Sequence, residues 1–107
     1  MRHELKILPE YFEPVCLGYK TFEIRKNDRN YHVGDELVLK EWDGEKFTGN
    51  VVVRYVSYIL YDWQAGLKDG YCIMSLKRNA LTVILDRMKR LREEQNDENN
   101  YSGESEL

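Results

Sequence analysis

The sequence predicts a small α+β fold or partly open β-barrel, with one short flanking helix and a C-terminal helix. Three observations predict it. Segments that alternate apolar and polar residues recur along the body, separated by turn signals. Helical spacing is confined to a short stretch after Pro9 and a longer one after Asn79. Finally, 107 residues at 42% hydrophobic have room for one modest core and no second domain.

Residues 5–8 alternate weakly and read as a short strand. Pro9 then takes the first helical position, with Glu10 in the favoured acidic first turn. Tyr11, Phe12, Val15 and Cys16 make an apolar stripe, and Gly18 supplies a stop. Pro14 falls inside this span, where proline removes a donor and clashes with the preceding turn, so the helix starts later than Pro9 or kinks. Residues 21–25 alternate cleanly, Phe22 and Ile24 on one face and Thr21, Glu23 and Arg25 on the other, as in a half-buried strand. Residues 26–30 form a polar loop and Gly34-Asp35 a turn. A strand over 36–42 leads to a hairpin turn at Asp43-Gly44. Residues 51–60, rich in β-branched and aromatic side chains, read as the central strand. A loop with two glycines over 63–70 and a strand over 71–76 complete the body, residues 1–78.

Asn79 caps a helix over 79–95 in which Leu81, Ile84, Met88 and Leu91 recur at spacings of three and four. That stripe is expected to pack onto the barrel; the alternative is a short seam with a second copy or another protein. Residues 96–107 lack hydrophobic periodicity and are expected to be a disordered acidic tail.

The net charge of −3 is unevenly placed. In residues 1–78 twelve Lys/Arg balance twelve Asp/Glu, whereas residues 79–107 hold four against seven. The body is neutral, so the negative total does not count against nucleic acid. The sequence lacks the roughly 18–20 consecutive apolar residues of a membrane helix, and no apolar run follows the N-terminal Met1-Arg2-His3-Glu4 as in a secretory signal. No membrane association is expected. Cys16 and Cys72 match no redox or metal spacing and read as reduced thiols of a cytoplasmic protein. His3 and His32 are isolated, so no metal site and no cofactor are expected.

The densest polar cluster runs from Gly18 to Arg29, with four cations and two carboxylates in twelve residues. On a strand, Glu23 and Arg25 project from one face roughly 6.5–7 Å apart, with Lys20 at the turn before them. A carboxylate between cations can accept from a base amino group or hold a water, and Arg25, Lys26 and Arg29 offer donors suited to phosphate. The plainer reading is a solvated strand face with ion pairs worth about 0–1 kcal/mol. Most of the aromatic residues are expected in the barrel core, with Trp42, Trp63 and Tyr71 near strand ends as candidates for a stacking rim.

Gly18, Lys20, Glu23 and Arg25 reproduce the G-x-K-x-x-E-x-R pattern of ASCH domains, a branch of the PUA-like superfamily. The wider run, from His3-Glu4-Leu5-Lys6-Ile7 through residues 22–29 to Val33-Gly34-Asp35, resembles the small DUF3850-type ASCH-like proteins of bacteria and their phages over about residues 3–77. The resemblance implies a PUA-like barrel with a cleft lined by Lys20, Glu23 and Arg25, in which that family is proposed to bind RNA or nucleotides. One branch removes the acetyl group of N4-acetylcytidine, and another has been linked to RNA cleavage. In the deacetylating branch the position matching Glu23 is a nucleophilic threonine, so here the lysine match survives and the nucleophile match does not.

The expectation is therefore an RNA- or modified-nucleoside-binding domain that uses Lys20, Thr21, Glu23, Arg25, Lys26, Asp28 and Arg29, with Trp42 and Tyr71 at the rim. The alternative is a small hydrolase in the same cleft, N4-acetylcytidine amidohydrolase-like or a ribonuclease, with Glu23 as general base on water or a 2′-hydroxyl and Lys20 and Arg25 stabilising developing negative charge. A further alternative is a phage or bacterial adaptor whose protein partner meets the terminal helix.

Overall fold

The computed structural model describes residues 1–99, and its elements follow the order of the alternating segments. They are β1 (Arg2–Ile7), α1 (Pro9–Leu17), β2 (Phe22–Lys26), β3 (Glu36–Trp42), β4 (Phe47–Tyr61), α2 (Asp62–Ala65), β5 (Tyr71–Lys77) and α3 (Ala80–Asn99). The strands form one sheet in the order β1-β3-β4-β5-β2, with β1 parallel to β3 and the other pairs antiparallel. The expected α+β, partly open barrel is what this curled sheet makes. β1 and β2 are its two edges, and the seam between them is the opening.

β4 explains the curl. It is 15 residues long and central, as its composition predicts. Its first part pairs with β3, its last part with β5, and the register shifts between Val56 and Tyr58. A bulge at that point bends the strand, so one strand serves two walls of the barrel. β1 begins at Arg2 rather than residue 5, because the whole stretch pairs with β3 from Arg2–Glu36 to Ile7–Glu41. Within the expected loop after β4, α2 forms a single turn: the Tyr61 N–H donates to Gln64, and Asp62 accepts from the backbone of Trp63 and Gly70.

The helix after β1 starts at Pro9 and runs continuously to Leu17 with Pro14 inside it, so the proline neither delays nor ends it. The Pro14 carbonyl instead accepts the backbone N–H groups of Tyr19 and Lys20, at 2.9 and 3.0 Å, and so closes the turn into β2. Gly18 makes that turn with φ +84°, the left-handed conformation in which a Cβ is strained.

The core inside the barrel contains Leu5, Ile7, Val15, Leu37, Leu39, Val56 and Met74. Burial pushes the Cys72 thiol up, consistent with an inert core residue. His3 is also buried: its Nε2 donates to Asp35 Oδ2 at 2.8 Å, and its ring packs edge-on against Tyr31. Of the tyrosines and tryptophans from Tyr11 to Tyr71, only Tyr31 is fully buried, while Tyr11, Tyr19, Tyr58 and Trp63 are exposed. This corrects the expectation that most of them fill the barrel, whose interior is instead aliphatic.

Asn79 caps α3 as expected, its side-chain oxygen accepting the Leu81 N–H at 2.7 Å. The packing of α3 does not follow the predicted stripe. Val83 is buried, whereas Leu81, Ile84, Met88 and Leu91 are each 53–58% exposed. The helix meets the sheet through the face that carries Val83, not through the face of the stripe. α3 continues to Asn99, past the expected end at 95, and residues 100–107 of the expected tail lie outside the described residues. No described helix is long and apolar enough to cross a membrane.

Candidate functional site

The geometry of β2 reverses the simple reading of its alternation. Phe22 and Ile24, the apolar pair, are 42% and 49% exposed, while Glu23 is 3% exposed. The cause is register. Glu23 lies opposite Met74 and Arg25 opposite Cys72 on β5, and directly opposed residues project from the same face. Met74 and Cys72 are fully buried on the interior face, so Glu23 and Arg25 point inward too. The solvated-face reading of the charged alternation is thereby corrected. A charged pair is tolerated there because β2 borders the open seam, and because the buried carboxylate is neutralised at once.

Lys20 and Arg25 perform that neutralisation from opposite sides. The Lys20 ammonium donates to Glu23 Oε1 and, at 2.9 Å, to the Phe22 carbonyl. Arg25 Nε donates to Glu23 Oε2 at 2.7 Å, and its Nη2 donates to the Lys6 carbonyl on β1 at 2.7 Å. The guanidinium thus spans the seam between the two edge strands. Lys20 is placed by the α1–β2 turn, where its backbone N–H is held by Pro14.

Around the triad lies a cleft of ≈ 720 Å³, floored by Lys20, Glu23 and Arg25 and rimmed by Tyr11, Tyr19, Phe22 and Lys6. Tyr19 is 81% exposed. The Lys20 ammonium lies 5.1 Å from the Phe22 ring centre and 5.7 Å from that of Tyr11, within cation–π range. Donors remain for a ligand: Lys20 has three N–H groups and uses two, while Arg25 has five and uses two.

The other residues singled out from sequence are placed differently. Arg29 lies in a neighbouring groove, donating to the Glu4 carbonyl at 3.0 Å. Thr21, Lys26 and Asp28 are exposed and do not line the cleft. Neither do Trp42, Trp63 and Tyr71. Trp42 packs edge-on against Phe47 beneath the Lys6 ammonium, Trp63 stacks parallel on Tyr61, and Tyr71 lies opposite Lys26 on β5. The rim comes from α1 and the turn after it, because those flank the seam while Trp42 ends β3, Trp63 lies in α2 and Tyr71 starts β5. Tyr11 and Tyr19 carried the signal of aromatic residues beside the charged motif; Lys6 carried none, because its approach to Arg25 depends on how the sheet curls. Among the described residues no three His, Cys, Asp or Glu converge as metal ligands.

Two comparisons relate the chain to known proteins. A family model described as a domain of unknown function, DUF3850, matches residues 2–76, the barrel and all three residues of the triad. The chain is also similar to an uncharacterized 12.9 kDa protein in the GpA 3′ region of Escherichia phage P2. The two are 44% identical over 63 residues, which is 57% of this chain and 58% of that protein. The match therefore spans less than two thirds of the relative's length.

Proposed function

Because the chain belongs to the DUF3850 family, we propose from its geometry that it acts as an ASCH-like domain, binding RNA or a modified nucleoside from it in the Lys20–Glu23–Arg25 cleft. The observation that carries this reading is the Glu23 carboxylate, 3% exposed and clamped between two cations on the floor of an aromatic-rimmed cleft. A structural ion pair has no need of an adjoining cavity. Here the cavity offers what an unpaired base requires: ring faces at Tyr11, Tyr19 and Phe22 for stacking, an acceptor at Glu23 for an amino group, and spare donors on Lys20 and Arg25 for carbonyl oxygens.

The same inventory supports recognition over hydrolysis. No Ser, Thr, Cys or His is among the described residues lining the cleft, and each oxygen of Glu23 already accepts from a cation while keeping a lone pair for a base amino group. Activating a water would require Glu23 to give up a cation that neutralises it.

The test is fluorescence anisotropy with a labelled single-stranded oligoribonucleotide. Affinity should fall with rising salt, and Lys20→Ala should abolish binding. Tyr19→Ala, at an exposed position that leaves the fold intact, should weaken it by about 1–3 kcal/mol through lost stacking. Binding like wild type in both variants overturns the reading. Incubation with N4-acetylcytidine and with RNA, followed by mass spectrometry, should return both unchanged; turnover lost in Glu23→Gln would favour the hydrolase.

A further inference from the structure

Arg25 separates the cleft from a second groove of ≈ 490 Å³, lined by Glu4, Lys6, Arg25, Arg29, Lys40 and Phe47. The two share Arg25 and Lys6 and differ in chemistry. The cleft is aromatic with a buried carboxylate. The groove is cationic: among the described residues Glu4 is the one carboxylate lining it, and Lys40 engages that carboxylate at 3.2 Å. Lys6 and Arg29 have no carboxylate within ion-pair distance among the described residues.

The cations are held in place rather than left to wave in solvent. Arg25 and Arg29 donate to the Lys6 and Glu4 carbonyls, two residues apart on the free edge of β1, which sets those anchor points roughly 6.5–7 Å apart. The Lys6 ammonium sits 3.9 Å above the Trp42 ring, and the Lys40 ammonium 4.8 Å from that of Phe47. Trp42 and Phe47 pack edge to face at 4.9 Å, so one aromatic shelf supports both lysines. Guanidiniums on a fixed edge, with most of their N–H donors unspent, suit the forked recognition of phosphate oxygens.

We infer that this groove binds the phosphodiester attached to the nucleotide whose base enters the cleft, so that the ligand is single-stranded RNA carrying its phosphates and not a free nucleoside. The inference rests on the cleft reading above and deepens it. Arg25 is the hinge of the arrangement, with one guanidinium serving the base site through Glu23 and bordering the phosphate groove on its other side.

The experiment measures binding of the full chain to three probes: a short mixed-sequence single-stranded oligoribonucleotide, nucleoside 5′-monophosphates and free nucleosides. Affinity should fall in that order. Arg29→Ala should weaken oligoribonucleotide binding about tenfold and leave nucleoside binding unchanged. It should also reduce the slope of log affinity against log salt by about 0.7, the value for one phosphate contact on a single strand. Lys40→Gln, whose side chain pairs with the exposed Glu4 and not with the core, should reduce the slope in the same way. Unchanged slopes in both variants, while Lys20→Ala still abolishes binding, would overturn the groove and leave the cleft reading standing. Equal wild-type affinity for nucleosides and the oligoribonucleotide would do the same. Absence of binding to all three probes overturns both.

Discussion

The guanidinium of Arg25 donates to the Lys6 carbonyl at 2.7 Å and so ties the free edge of β2 to the free edge of β1 across the open side of the barrel. No backbone ladder joins these strands, so side-chain bonds at the seam replace the pairing that would close the sheet. The same guanidinium shares with Lys20 the neutralisation of Glu23, so one residue contributes both to the closure of the fold and to the charge balance of the site.

Arg25→Ala should consequently destabilise the protein by about 2–4 kcal/mol, because it leaves one oxygen of the buried carboxylate unpaired, with Lys20 on the other, and releases the seam. Arg25→Lys should recover less than half of that loss, since an ammonium cannot reach Glu23 and Lys6 in the fixed fork of a guanidinium. Urea denaturation with an unchanged m-value is the measurement. A lysine variant as stable as wild type would show that only charge matters at this position.

Stability should also respond to pH through Asp35. This buried carboxylate accepts from the Met1 amino group, from His3 Nε2 and from the His32 backbone N–H. Burial alone would raise its pKa, but these hydrogen bonds outweigh burial and hold it below the ordinary carboxyl value. The folded pKa is the lower one, so the stabilisation is fully present above the unfolded value of about 3.9 and is lost as pH falls through the folded value. Asp35→Asn should therefore be less stable than wild type at neutral pH, by about 2–3 kcal/mol, with the gap closing below about pH 4. Urea midpoints across that range check it, and a gap independent of pH would refute the assignment.

Gly18→Ala should cost about 1–2 kcal/mol. Its φ of +84° is strained for alanine, and a Cβ would lie 2.9 Å from Nη2 of Arg78, the atom that donates to the Cys16 carbonyl. Adding Arg78→Ala removes the steric part and leaves the backbone part. If the double variant is no more stable than the sum of the two single changes, the contact with Arg78 contributes nothing.

The motif from Gly18 to Arg25 was legible in the sequence because its chemistry is local. A left-handed turn needs glycine, and period-two spacing puts Glu23 and Arg25 on one face whatever the strand packs against. The centrality of β4 and the capping of α3 by Asn79 were legible for the same reason. The side of β2 that faces inward was not legible. Phe22 and Ile24 made the conventional buried face, and only pairing with Met74 and Cys72 of β5 turned the charged face to the interior.

Which residues wall the site was beyond local reasoning, although Tyr11 and Tyr19 lie beside the charged motif in sequence. Lys6 reaches Arg25 because β4 bends at its bulge and brings the first and last strands of the sheet order to a common seam. Tyr11 and Tyr19, rather than Trp42 or Tyr71, form the rim because α1 and its turn flank that seam. The apolar stripe of α3 likewise has helical periodicity, yet Val83 and not Leu81, Ile84, Met88 or Leu91 meets the barrel. By itself the sequence determined the five strands, the two longer helices, the left-handed turn and the identity of the charged triad, all set by interactions between near neighbours in the chain. Only the tertiary structure decided which faces are inside and which cations stand together, because those depend on register and curvature, and both arise from pairing between residues distant in sequence.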